Sequence, residues 1–164
     1  MEQLIRALLT FRYVDRIMLF VAGSGSLSDE LETIVHQTGF EQNIRLVGFL
    51  DEEEILDLLA VADALILPSL GDPYPLAVIE AAFAGLPLLL SDRVGCHLET
   101  LVPQYNGFLF DPYDPSSIQN CLEHFLRLEP EQWAEMGLRS QEIAEERFST
   151  ERVVSQFFSD LIRL

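Results

Sequence analysis

Short apolar runs alternate with longer amphipathic stretches along the chain, and the two periods predict different elements. Residues 17–22 (IMLFVA) read as a buried strand closed by the turn Gly23-Ser24-Gly25, and residues 44–47 (IRLV) as a second strand ended by Gly48. Residues 63–67 (DALIL) give a third, stopped by Pro68-Ser69; PLLLS at 87–91 gives a fourth, and Gly107-Phe108-Leu109-Phe110 a last short one. Between the strands, apolar positions fall at helical spacing. Leu27, Leu31, Ile34 and Val35 mark a helix from Leu27 to Thr38. Asp51 caps the next helix, whose first turn Glu52-Glu53-Glu54 sets three carboxylates at the positive helix end, a structural use of a charge run. An apolar helix from about Leu76 to Ala84 is stopped by Gly85, and a short turn falls around Glu99–Val102. Helices at about 115–127, 130–147 and 149–163 finish the chain.

Strands alternating with helices at this spacing predict an α/β fold, a Rossmann-like parallel sheet with helices on both faces. The near-continuous apolar strands fit burial on both sides. Ligands of such sheets bind outside the carboxyl ends of the strands, near a reversal of strand order. That directs attention to the loops after Ala22, Val47, Leu67 and Leu90. No interior linker or repeat divides the chain, so residues 1–164 read as one domain.

A chain of 164 residues can bury a sizeable core. Hydrophobic content of 49% and a mean hydropathy of +0.20 exclude a disordered acidic tail. Acidic residues outnumber basic ones 27 to 10, for a net charge of −17; all ten basic residues are arginine and there is no lysine. This argues against nucleic acid and against an anionic membrane surface, both of which are bound through clustered Lys and Arg. No apolar run approaches the roughly 20 residues that span a bilayer. The start, Met1 to Leu9, carries Glu2 and Arg6 and lacks the form of an export signal, so a cytoplasmic location is expected. Cys96 and Cys121 show neither metal-ligand spacing nor a disulfide framework and read as small semi-buried residues.

The four loops carry the candidate chemistry. Gly23-Ser24-Gly25 offers backbone N–H groups ahead of a helix, either a phosphate or sugar cradle or a plain turn. Gly48-Phe49-Leu50 places an aromatic at a strand end, where it either flanks a flat base or belongs to the core. The stretch PSLGDPYPLAVIEAAFAG, residues 68–85, is richer: Asp72 sits in a loop and Glu80 lies eight positions on, inside the following helix. Glu80 stands among Val78, Ile79, Ala81 and Ala82, where a charge needs a partner. A carboxylate accepts two hydrogen bonds well from vicinal hydroxyls, as on a sugar; the other readings are an arginine partner or a turn to solvent. His36 and His124 read as surface residues and Trp133 as a packing residue; His97, in the loop after Gly95, either approaches a ligand or is structural.

The same stretch resembles the signature of family 4 glycosyltransferases, in which P-S-x-x-E-P-F-G-L-x-x-x-E-A-x-A-x-G-x-P encloses an acidic pair. The matching residues are Pro68, Ser69, Asp72, Pro73, Tyr74, Pro75, Leu76, Glu80, Ala81, Ala84, Gly85 and Pro87. Val21-Ala22-Gly23-Ser24-Gly25 is similar to the family's V-x-G-x-G, and Leu46-Val47-Gly48-Phe49 to its L-x-G-x. Ser91-Asp92-Arg93-Val94-Gly95 with Glu99 is similar to its S-D-x-x-G…E loop, and Asn106-Gly107-Phe108-Leu109 to its N-G-x-L. The likeness runs in order over roughly residues 10–125.

The resemblance implies the donor-binding, C-terminal half of a GT-B glycosyltransferase, a retaining enzyme that takes a nucleotide diphosphate sugar and uses no metal or other cofactor. Glu80 would then hold ribose hydroxyls and Asp72 the donor hexose hydroxyls. Backbone around Tyr74, Pro75 and Leu76 would face the diphosphate and Phe49 would flank the base. Gly23, Ser24, Gly25, Gly48, Ser69 and Arg93 complete the implied donor-binding set. Asp72 stands where the family usually has glutamate, and Pro75 where it usually has glycine, which removes one N–H. The family's first strand, with the Arg and Lys that follow it, has no counterpart here. The expectations are therefore a first strand missing from the sheet, an acceptor domain supplied separately or a homo-oligomer, and no transfer by the chain alone. The last helix, with Val153, Val154, Phe157, Phe158, Leu161 and Ile162, offers an apolar face for such a partner. The alternative function is a non-catalytic nucleotide-sugar-binding or assembly module. A flavodoxin-like phosphoacceptor domain ranks third, since Gly23-Ser24-Gly25 stands where its acidic residues should follow the first strand.

Overall fold

The computed structural model of the chain describes residues 1–150 and Arg152. Among the described residues five strands, β1 (Leu19–Ala22), β2 (Ile44–Gly48), β3 (Leu65–Leu67), β4 (Leu88–Ser91) and β5 (Gly107–Phe110), alternate with seven α-helices. The helices are α1 (Glu2–Leu8), α2 (Ser28–Thr38), α3 (Glu52–Val61), α4 (Leu76–Phe83), α5 (His97–Thr100), α6 (Pro115–Leu126) and α7 (Pro130–Phe148). A 3₁₀ turn, Val14–Arg16, leads into β1. The α/β class and the helices on both faces are as the sequence pattern predicts. The expected helix at 149–163 lies outside the described residues, apart from Ser149, Thr150 and Arg152.

Every strand pair is parallel, but the expected single sheet is in two parts among the described residues. β1 pairs with β2, and β3, β4 and β5 pair in that order. The register sets Leu19 beside Ile44 in the first part and Leu65 beside Leu88 beside Gly107 in the second. No ladder joins β1 to β3 among the described residues, so each keeps one edge unpaired.

Two cores lie on opposite faces. On one face α1, α2 and α6 enclose Leu4, Ile5, Leu8, Leu31, Val35, Ile118 and Phe125 with Leu19, Ile44 and Leu89 from both sheet parts. On the other, α4, α5 and α7 pack Val78, Ala81, Ala82, Leu101 and Ala144 on Leu88 and Leu90. The alternation along β4, with Leu89 in one core and its neighbours in the other, buries all four of its residues. Trp133 stacks on Phe125 with ring centroids 4.9 Å apart and its indole N–H donates to the Phe125 carbonyl, which fixes the start of α7. Both cysteines are buried and unpaired.

Local signals terminate the elements where expected. Asp51 and Glu54 form a reciprocal capping box on α3, and Asp114 with Pro115 starts α6. α4 ends on Gly85 at φ +74, with Leu86 N–H reaching back to the Ala81 carbonyl, a turn that needs a left-handed residue. Gly85 also lets α7 come close: a Cβ on Gly137 would lie 1.9 Å from the Gly85 carbonyl oxygen. At the far end of α7's contact, the fully buried Asn106 donates to Ser140 Oγ at 3.1 Å and to the Thr100 carbonyl at 2.9 Å.

Two outcomes follow from this packing. Gly137→Ala gains about 1 kcal/mol in helix propensity, but forcing α7 off α4 costs about 3 kcal/mol, so a net destabilisation near 2 kcal/mol is expected in urea unfolding. Gly71→Ala, with open space at its Cβ, should stay within about 0.5 kcal/mol of the parent. Burial pushes the Cys121 thiol up to about 12. Its neutral form is favoured by the fold, so the stabilisation is complete below the unfolded value of 9.0 and is lost as pH rises from there through about 12. Thiol labelling at pH 8 should therefore reach Cys121 only on unfolding, and Cys121→Ala should flatten the alkaline decline in stability.

Candidate functional site

The loops at the carboxyl ends of β3 and β4 are stitched into one unit. The Ser91 hydroxyl, fully buried, donates to the Ser69 carbonyl at 2.7 Å and accepts from the Arg93 N–H at 3.0 Å. Beyond it, Asp72 and Val94 form a parallel bridge, with Gly95 N–H donating to the Asp72 carbonyl at 2.8 Å. The approach tolerates only glycine, since a Cβ on Gly95 would lie 2.3 Å from the Pro73 carbonyl oxygen. Ser69, Asp72, Tyr74 and Arg93 are thereby held at one place.

Within this unit the Asp72 carboxylate accepts from Tyr74 N–H at 3.1 Å through one oxygen, and its side chain is half-buried. Tyr74 sets its ring edge-on to Phe148 at 6.4 Å. Partial burial pushes its phenol upward, aided by the neighbouring Glu99 and Cys96, so the hydroxyl keeps its proton at neutral pH. The Cys96 thiol is raised as well, mainly by burial and further by Asp72 and Glu99. Arg93 is exposed and shares its charge with Asp92 at 3.3 Å. Arg147 reaches in from α7 and donates to the Glu99 carbonyl at 2.6 Å.

Helix α4 leaves this unit with buried Pro75 as its N-cap and no side-chain cap. Among the described residues the N–H groups of Leu76 and Ala77 have no partner, so they face solvent with the positive end of the helix. Val78, Ala81 and Ala82 turn into the core, while Leu76, Ala77, Glu80 and Phe83 share the exposed face. The Glu80 carboxylate is exposed, and no arginine among the described residues pairs with it, so of the readings above the turn to solvent holds there. An acid one turn from two free amides can grip a hydroxylated, anionic ligand that bridges them.

The other two loops form a second unit. Gly23 N–H donates to the Gly48 carbonyl at 2.6 Å, with Gly23 at φ +113 where only glycine is comfortable. Gly25 N–H is taken by Ser28 Oγ at 3.0 Å. The free cradle expected at Gly23-Ser24-Gly25 is thus reduced to Ser24, because the strand ladder and the start of α2 use the flanking amides. A cavity of about 310 Å³ opens here beside Gly23, Ser28, Glu32 and Gly48. Phe49 is 79% exposed, which corrects the core reading of that residue and leaves a free aromatic face at the strand end. Arg45 lies in mid-strand and lines a separate cavity of about 400 Å³ with Glu32, His36 and Glu41, away from the Asp72 loop. Sequence reasoning thus missed the contributions of Arg147 and Phe148; nothing in their spacing marks α7 as reaching this loop.

Parallel strands, helices on both faces and two loop units at the carboxyl ends define a Rossmann-like α/β domain. The profile of the family "Glycosyl transferases group 1" matches residues 1–142, and the chain belongs to that family. An uncharacterized glycosyltransferase of Methanocaldococcus jannaschii is 32% identical over 117 residues, covering 71% of this chain and 30% of the relative. Glycogen synthase of Mycobacterium tuberculosis is 36% identical over 108 residues, covering 66% and 26%. The chain thus spans less than a third of the length of these relatives. Among solved structures, Anabaena Alr3699/HepE in complex with UDP superposes with a TM-score of 0.83 at 23% identity, covering 99% of this chain and 45% of that one. TarM superposes at 0.82 and 18% identity, covering 96% and 31%. At these identities the superpositions speak for the fold. Among the described residues no helix is long and apolar enough to cross a membrane.

The stitching itself can be tested. Ser91→Ala strands the Ser69 carbonyl and the Arg93 N–H, and a loss of about 1–3 kcal/mol in unfolding free energy is expected. Faster amide exchange confined to residues 69–75 and 92–96 would show that the two loops have come apart.

Proposed function

We propose that the chain is the donor-binding half of a retaining glycosyltransferase and binds a nucleotide diphosphate sugar at the carboxyl ends of β3 and β4. The observation that carries the reading is the unpartnered Glu80 on α4, one turn from the free Leu76 and Ala77 amides and beside the Asp72 loop. Glu80 accepts from the ribose hydroxyls, and the second oxygen of Asp72 from a hydroxyl of the donor hexose. The amides at the start of α4 meet the diphosphate, supplying backbone donors where the leaving group gathers charge. Phe49 offers its exposed face to the base, and Ser24 and Gly48 lie beside it. The similar HepE structure is a complex with UDP, which supports a nucleotide donor here.

The resemblance assigns no metal to the transfer. The diphosphate charge is then balanced by backbone N–H groups and by the cations Arg93 and Arg147. Holding both reactants in place contributes about 7–11 kcal/mol to a bimolecular reaction. Residues 1–164 supply the donor side of that arrangement, so transfer to an acceptor needs a further domain or partner. A cytoplasmic setting, where nucleotide sugars are made, suits this reading.

Calorimetric titration of the chain with UDP-, GDP- and ADP-sugars tests it. One base is expected to bind, and Glu80→Ala to weaken it by about 1.5–3 kcal/mol, roughly ten- to a hundredfold. No acceptor glycosylation is expected from the chain alone. Binding by none of the three nucleotides would reject the donor site and favour the assembly module.

A further inference from the structure

The cavity of about 310 Å³ at the carboxyl ends of β1 and β2 is lined by polar groups of one kind in excess, acceptors. Gly23 and Gly48 stand on its strand side, and α2 contributes Ser28 and Glu32. These two lie four residues apart, so they share one side of the helix. The buried Val21 and Leu31 supply apolar lining.

Some of these groups are already engaged. Gly23 N–H donates to the Gly48 carbonyl, and Ser28 Oγ accepts from Gly25 N–H, which leaves the serine O–H as a donor. Glu32 is exposed, and no arginine among the described residues pairs with it; Arg45 lines the neighbouring cavity but not this one. Leu46 adds a further pair of groups. In a parallel ladder alternate residues bond to opposite neighbours. Leu19 N–H bonds to the Asn43 carbonyl, so Arg45 and Val47 serve β1, and Leu46 turns its N–H and C=O outward. Among the described residues β2 pairs with β1 alone, so no ladder uses them.

What such a set can read follows from the bases themselves. A carboxylate accepts through both oxygens and donates nothing. Guanine presents two adjacent donors, N1–H and the 2-amino group, with the O6 acceptor beside them, so it meets a carboxylate with two parallel charge-assisted bonds. Uracil presents one donor between two carbonyl oxygens, and a carboxylate that takes N3–H sets its second oxygen against one of them. Cytosine and adenine each offer one amino group beside a bare ring nitrogen, which again faces the second oxygen. Only guanine satisfies both oxygens along one edge and keeps an acceptor for a neighbouring N–H or O–H.

We infer that the nucleotide of the donor carries guanine and that Glu32 is the residue that selects it. The base lies against the exposed ring of Phe49, which directly follows the cavity residue Gly48, and turns its edge toward α2. Glu32 takes N1–H and the 2-amino group, and O6 accepts from the outward Leu46 N–H or the Ser28 hydroxyl. This rests on the donor reading and adds the identity of the base to it. Glu80 and the amides of α4 meet ribose and diphosphate, which every nucleotide shares, so they leave the base undecided.

Calorimetric titration of the 164-residue chain with GDP, inosine diphosphate, ADP and UDP tests it. Inosine diphosphate differs from GDP only in lacking the 2-amino group, so this comparison needs no variant. GDP should bind most tightly, and each of the other three about tenfold or more weaker, the loss of one charge-assisted bond. Glu32→Gln, an isosteric change at an exposed helix position, should bring GDP down to the level of inosine diphosphate without weakening UDP. UDP or ADP bound as tightly as GDP overturns the selection of guanine, and loss of that binding in Glu80→Ala would show that the donor site itself stands. Equal binding of GDP and inosine diphosphate, or a GDP affinity untouched by Glu32→Gln, overturns the role of Glu32. Binding of none of the four rejects the donor site and this inference with it.

Discussion

The backbone ladder between β3 and β4, continued past the strand ends by Ser69–Ser91 and Asp72–Gly95, is the constraint from which the rest of the second unit is built. Three aligned residue pairs set the register, and a fully buried hydroxyl then carries it into two loops that have no ladder of their own. Because the loops are short and hydrogen-bonded to each other, the start of α4 has little freedom. The small residues at Gly85 and Gly137 complete the arrangement by bringing α7 across α4. That crossing delivers Arg147 and Phe148 to the rim of the loop unit, so a packing contact on the far side of the helix decides part of the site's electrostatics.

Charge works here at short range. A net −17 repels polyanions at a distance, but screening over about 8 Å at physiological ionic strength confines that effect. At the loops the balance is set by individual groups: Arg93 tied to Asp92, Arg147 on the Glu99 carbonyl, and backbone N–H groups that carry no formal charge. The absence of lysine leaves arginine and backbone donors to meet any phosphate. Both are well suited to doing so, since guanidinium forks and helix amides are directional.

Much of the fold is legible in particular residues. Asp51 with Glu54 announces a capping box, Pro115 and Pro130 start their helices, and Gly107–Phe110 is a strand as its apolar run predicts. These are local signals, and local physics decides them. Of the site, the Asp72 loop and the position of Glu80 on a helix could be read in advance, because spacing along one element needs no tertiary information. The exposure of Phe49 and the cavity that Arg45 lines could not. Both depend on what packs over the β1–β2 part of the sheet, and an aromatic or an arginine next to a strand looks the same in sequence whether covered or open. The engagement of the Gly23 and Gly25 amides was hidden for a similar reason: the acceptors, Gly48 and Ser28, are known only once the strands are paired.

The sequence by itself determined the alternation of elements, the parallel class of the sheet and the loop that carries the acidic pair, since periodicity and turn chemistry act over a few residues. Tertiary structure alone decided that the break in the sheet falls between β1 and β3, that Ser91 and Gly95 bind two loops into one, and that α7 reaches the site. Each of these depends on which backbone groups meet across the fold. Hydrogen-bond partners tens of residues apart are set by packing, and no local pattern encodes them.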